Sequence, residues 1–148
     1  MNERFPEKKT RRKSSASLEK LELLLRELAE DKNPKLVEGK RDKQALETLG
    51  IKNIYKIHNS PLSTLADRIS AQTNEAIILT DFDRRGKQLL ERLSELLEGS
   101  GVKVNKDYRR MLRLMTGIKY IEELDRRYEK IKNECRGGNN SGAGGKMT

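Results

Sequence analysis

The sequence predicts an α/β fold: a doubly wound, parallel sheet of about four strands flanked by helices. Two observations carry this. Short apolar runs alternate with amphipathic stretches from residue 35 to residue 105. One of those runs, "EAIILT" at 75–80, is continuously apolar rather than alternating, the pattern of a strand covered on both faces.

The elements follow in order. Leu18, Leu21, Leu24, Leu25 and Leu28 recur at helical spacing, with Ser17 as the expected N-cap, and "DKNP" ends that helix because Asn33 precedes a proline. "KLVEG" (35–39) reads as a strand. "RDKQALETLG" (41–50) reads as a helix stopped by Gly50. "NIYKIH" (53–58) is a second strand. "SPLSTLADRIS" (60–70) is a helix with Ser60 as N-cap and Pro61 at its first position. After the strand at 75–80, "GKQLLERLSELLEG" (86–99) carries an apolar stripe of Leu89, Leu90, Leu93, Leu96 and Leu97. "VKVN" (102–105) is the fourth strand, and helical stretches follow over about 107–116 and 119–134.

Composition narrows the function. Of 148 residues, 37% are charged and 34% hydrophobic, and no apolar run approaches the ~20 residues of a membrane helix. The N-terminal stretch "MNERFPEKKTRRK" has no apolar core, so it is expected not to be a secretory signal. A single cysteine, Cys135, excludes an internal disulfide framework, and a reducing cytoplasm is the expected setting. The net charge of +9 points to a polyanionic partner. It is unevenly spread: residues 1–17 carry +4, residues 137–148 add +1, and the intervening 119 residues hold the remaining +4. The expected organisation is a basic flexible arm (1–17), one domain (18–136) and a Gly/Asn-rich flexible tail (137–148).

The chemistry concentrates at two strand ends. Asp81 and Asp83, in "LTDFDRRG" (79–86), follow the apolar strand, and Glu38 ends the first one. In a doubly wound sheet both fall in the crevice beyond the carboxyl ends of the strands, where ligands bind. Three converging carboxylates repel one another unless a cation lies between them, and hard oxygen donors suit Mg2+ or Mn2+. Lys40, Arg41, Arg84, Arg85 and Lys87 flank these carboxylates and could hold phosphates. Gly39 and Gly86 would let backbone turn sharply or approach a ligand closely, and the helix after Gly86 could offer N–H groups to an anion. An acid pair after a strand can equally be a helix cap. His58, the sole histidine, falls at the end of the second strand with Asn59 and Ser60, either as an ordinary strand-end residue or as a contact to phosphate or metal-bound water.

"LVEGKRD" followed some forty residues later by "ILTDFDRRG" resembles the Toprim domain. That domain is shared by topoisomerases, bacterial-type primases, overcoming-lysogenization-defect nucleases, recombination mediators and the ribonucleases that mature 5S ribosomal RNA. The resemblance covers roughly residues 34–105 and is nearest to the small stand-alone archaeal proteins of this kind, often compared with the ribonuclease branch. It implies a Rossmann-like Toprim fold, Glu38 as general acid/base, and Asp81 and Asp83 as magnesium ligands. The branches differ in what they add. A topoisomerase needs a tyrosine nucleophile from a separate domain, whereas Tyr55, Tyr108, Tyr120 and Tyr128 read as packing or surface residues. Primases and recombination mediators carry zinc modules that one cysteine cannot build. The expected function is therefore a Mg2+-dependent nucleic-acid phosphodiesterase, with RNA ahead of DNA as substrate and a protein partner conceivable for substrate selection. The alternative is a non-catalytic nucleic-acid-binding accessory protein on the same scaffold. Aromatics at 4% are too sparse for single-strand readout by stacking.

Overall fold

The structure, a computed structural model, describes residues 14–58 and 60–140, with side chains to residue 136. The arm up to residue 13, Asn59 and the tail from residue 141 lie outside the described residues.

Eleven segments follow in chain order: α1 (Ser15–Glu30), β1 (Lys35–Val37), α2 (Lys40–Thr48), β2 (Ile54–Lys56), α3 (Leu62–Ser70), β3 (Glu75–Ile78), α4 (Arg84–Gly99), β4 (Lys103–Asn105), α5 (Asp107–Thr116), a 3-10 turn (Ile121–Glu123) and α6 (Leu124–Asn140). The four strands form one wholly parallel sheet in the order β2-β1-β3-β4. This is the predicted architecture.

The period-2 geometry of strands sorts the core into two layers. Val37, Ile77 and Leu79 face one side, where they pack with the five buried leucines of α1 (Leu18, Leu21, Leu24, Leu25 and Leu28) and with Leu46, Leu112, Ile118, Ile121, Leu124 and Ile131. Leu36, Ala76 and Ile78 face the other, against Leu65 and Ile69 of α3 and Leu93 and Leu97 of α4. Residues 76–80 are all fully buried, as the apolar run predicts.

Several expected boundaries move. Ser14, not Ser17, caps α1: its hydroxyl accepts the Ser17 N–H at 3.1 Å, so Ser17 is the donor being capped. Ser60 does not cap α3 either. Pro61 occupies the cap position in extended conformation, and the Ser60 N–H instead donates to the Ile57 carbonyl. Residues 119–134 split into the 3-10 turn and α6, and α6 extends to Asn140.

Lys35 is buried in β1, and its ammonium donates to the carbonyls of Asp31 and Lys52 at the amino end of the sheet. At the far edge of the helical layer, α1 and α6 run antiparallel. The Tyr128 hydroxyl donates to Glu22 at 2.6 Å, and the Cys135 thiol donates to the Ser14 carbonyl at 3.5 Å.

Candidate functional site

The chain leaves β1 toward β2 on one side and later crosses to β3 on the other. The crevice between the carboxyl ends of β1 and β3 is thus the topological switch point, where doubly wound sheets bind ligands. Glu38 stands one residue past β1, and Asp81 and Asp83 stand past β3. Parallel pairing brings the two ends together. The Leu79 N–H donates to the Leu36 carbonyl at 2.8 Å, and beyond the ladder Glu38 Oε2 accepts the Asp81 N–H at 2.9 Å.

Each carboxylate is anchored by one oxygen. Asp81 Oδ1 accepts the Ile121 N–H at 2.8 Å. Asp83 Oδ1 accepts the Gly86 N–H at 2.8 Å, which makes Asp83 the N-cap of α4. Helix capping is therefore part of what the acid pair does, and the Gly86 N–H is taken by Asp83. A fourth carboxylate, unremarked in the sequence, joins them: Asp42, buried in the first turn of α2, accepts the Gly39 N–H at 3.0 Å. Its spacing, three residues after the N-cap position, is that of a capping box, and was the available signal.

The electrostatics follow from this crowding. Burial pushes the Asp81 carboxyl up to about 7; the Ile121 N–H pulls it back, and Asp42, Glu38 and Asp83 push it higher. Asp42 is raised for the same reasons, burial first, with Glu38 and Glu122 as the repelling neighbours.

Gly86 is where the chain most needs a glycine. A Cβ there would lie 2.0 Å from the Asp81 carbonyl oxygen, and the buried Thr80 hydroxyl donates to the Gly86 carbonyl at 2.8 Å. The start of α4 is thus pressed against the carboxylate loop. Gly39 is different: its backbone is extended and a Cβ would meet nothing within 4 Å. The protein itself does not need glycine at 39.

Sequence comparison now places this geometry. The Toprim domain family matches residues 35–106. The chain is 38% identical over 113 residues to a UPF0292 protein of Pyrococcus abyssi, covering 74% of this chain and 85% of that one. It is 41% identical over 113 residues to a UPF0292 protein of Methanocaldococcus jannaschii, covering 72% and 88%. The chain belongs to the UPF0292 family of Toprim-domain proteins. A solved structure of a protein from Aquifex aeolicus shares the fold at 30% identity and a TM-score of 0.59, covering 76% of this chain and 99% of that one.

Toprim domains generally bind divalent metals, and the donor set here has the right chemistry: hard carboxylate oxygens, each residue with one oxygen anchored and a second remaining. Among the described residues, no group of three or more His, Cys, Asp or Glu side chains stands close enough to cage an ion.

The flanking cations separate. Lys40 and Arg41 are exposed on the first turn of α2; Arg84, Arg85 and Lys87 are exposed on that of α4. Arg85 lines a cavity of about 200 Å3 with Glu38, Ile57, His58, Ser60, Leu62 and Leu89. Arg41 lines a different one, with Gln44, Glu122 and Asp125. His58 reaches the crevice through its backbone, donating to the Glu38 carbonyl at 2.9 Å. Three of the four tyrosines are engaged elsewhere through their hydroxyls. Tyr55 donates to Gln72, Tyr108 to Asp31 and Tyr128 to Glu22. Burial and those acidic partners push the Tyr108 and Tyr128 phenols up to about 12.

Arg109, on the first turn of α5, was not singled out in the sequence. Its guanidinium donates to the carbonyls of Thr80 and Asp81, at 2.8 and 2.5 Å, and lies 4.5 Å from the centre of the Phe82 ring. Arg113 lies against the same ring at 5.6 Å. The only hint was periodicity, which puts Arg109 on the buried face of α5 with Leu112 and Thr116.

Proposed function

We propose that this protein is a Mg2+- or Mn2+-dependent phosphodiesterase acting on nucleic acid, with structured RNA as the first candidate substrate. The observation that carries this reading is the joining of the Glu38 and Asp81–Asp83 strand ends at the switch point, through the Glu38–Asp81 hydrogen bond. Asp81 and Asp83 would hold the ion, with Glu38 completing the site. When bound, the metal would neutralise charge on the phosphate under attack. The chain's own groups do the rest. Glu38, oriented by the Asp81 N–H, keeps Oε1 as an acceptor or donor for a proton in transit. Arg85, which lines the small cavity with Glu38, would hold a flanking phosphate. Lys40, Arg41, Arg84 and Lys87 extend the cationic rim.

One observation favours a second reading, that of a nucleic-acid binder without turnover: among the described residues the acids do not close into a metal cage. Cleavage separates the two. Wild type should cut an RNA or DNA pool only with Mg2+ or Mn2+ present. Asp81→Asn and Asp83→Asn should reduce cutting to background while retaining metal-free binding, since asparagine can still accept the Ile121 N–H or cap α4. Glu38→Gln should lose cleavage yet keep part of the calorimetric metal binding. Binding without cutting in any pool selects the second reading.

A further inference from the structure

Residues 80–82 are held by Glu38 and Gly86 from within the span matched to the Toprim domain, residues 35–106, and by three further groups from outside it. The Arg109 guanidinium donates to both the Thr80 and Asp81 carbonyls, and its central carbon lies 4.5 Å from the centre of the Phe82 ring. The Phe82 N–H donates to the Lys119 carbonyl at 2.8 Å. The Ile121 N–H fixes the Asp81 carboxylate itself. Arg113 is on the same ring and donates to the carbonyls of Gly117 and Ile118, which ties the end of α5 to the segment carrying Lys119 and Ile121.

We infer that Arg109 is the positioning residue of the carboxylate site: its fork holds the Asp81–Asp83 loop in the shape that receives a divalent cation. This rests on the metal reading given above. The choice of residue type fits the task. A guanidinium presents two N–H groups in a fixed plane to two successive carbonyls and stacks on an aromatic ring at the same time; an ammonium can do neither as a unit. Its charge also offsets the field of Glu38, Asp81 and Asp83.

Positioning and charge make opposite predictions. A nearby cation repels a metal ion, so if Arg109 acts only through charge, removing it should tighten metal binding. If it positions the loop, removing it should loosen binding although a repulsion has been relieved. The test measures Mn2+ affinity by calorimetry, and hydrogen exchange at the Asp81, Phe82 and Ile121 amides, in wild type, Arg109→Ala and Arg109→Lys. The expected result is a loss of Mn2+ affinity of about 10- to 100-fold in both variants, the range seen when partners of metal ligands are removed. Faster exchange at the three amides, with amides of β3 unchanged, should accompany it. Tighter or unchanged Mn2+ binding in Arg109→Ala overturns the inference, and so does wild-type affinity in Arg109→Lys. Should Arg109→Ala not fold, Arg109→Lys decides alone. If wild type binds no Mn2+, the metal reading fails, and amide exchange still judges the clamp: unchanged protection in the variants overturns it, and local loss upholds it.

Discussion

Asp81 stands where the two strand ends meet, its N–H on Glu38 and its carboxylate on the Ile121 N–H. Its carboxyl, pushed up to about 7 chiefly by burial, holds a proton in the folded protein that the unfolded chain would release near 3.8. The consequence for stability has a definite sign. Between those two values the native state binds the extra proton, so this group's contribution is full at low pH and is lost as pH rises through about 7. With chelator present, wild type should therefore lose melting temperature between about pH 4 and pH 7, and Asp81→Asn should flatten that fall. An equal slope in the variant would place the effect elsewhere. Metal and proton compete for the same oxygens, so Mn2+ affinity should climb over the same interval. Lys35 is the contrasting buried charge. Burial lowers its pKa and Asp31 partly restores it, but its ammonium serves two backbone carbonyls and has no part in the site.

Among elements, the junction of β3 with α4 decides whether the site exists. The helix begins so close to the strand end that Gly86 and the Asp81 carbonyl leave no room for a methyl group. Gly86→Ala must push backbone against backbone, and we expect a loss of about 2–4 kcal/mol, in the range of overpacking and strain combined, together with loss of metal binding. Gly39→Ala should cost stability little, because its Cβ meets open space; any effect it has should fall on substrate binding. Chemical denaturation of the two variants checks the contrast, and equal losses would refute it. The same junction shows what the sequence could disclose. The apolar run 75–80 announced β3, because burial on both faces leaves a compositional mark. "DFDRRG" marked the candidate site by its unlike charges at the end of a buried strand, although Asp83 also caps α4. Caps were less legible: "SSAS" offers two serines a turn apart, and only the backbone selects Ser14. Arg109 was the least legible, because it holds carbonyl oxygens, which every residue has, and does so 28 and 29 positions away in the chain.

At the scale of the whole molecule, the two faces of the sheet differ. One carries α3 and α4 alone; the other carries α1, α2, α5 and α6, with Leu112, Ile118, Ile121, Leu124 and Ile131 among its buried residues. The second face also supplies Arg109, Lys119 and Ile121 to the carboxylate loop, so the layer that fills the core completes the site. No helix among the described residues is long and apolar enough to cross a membrane. The antiparallel run of α1 beside α6 sets the Ser14 carbonyl against the Cys135 thiol, and this has a topological consequence. The polypeptide, traced from residue 14 to residue 135, is almost a closed ring. A short Gly/Ser link could join those positions, and new ends could be opened at the exposed turn Ser100–Gly101 between α4 and β4. The bonds from Arg109, Lys119 and Ile121 to the carboxylate loop join residues on the two sides of that cut, but none of them uses Ser100 or Gly101. Such a circular permutant should fold and match the natural order in its Mn2+ titration, and a permutant that folds but binds the ion less well than the natural order would show that the site depends on where the chain is cut.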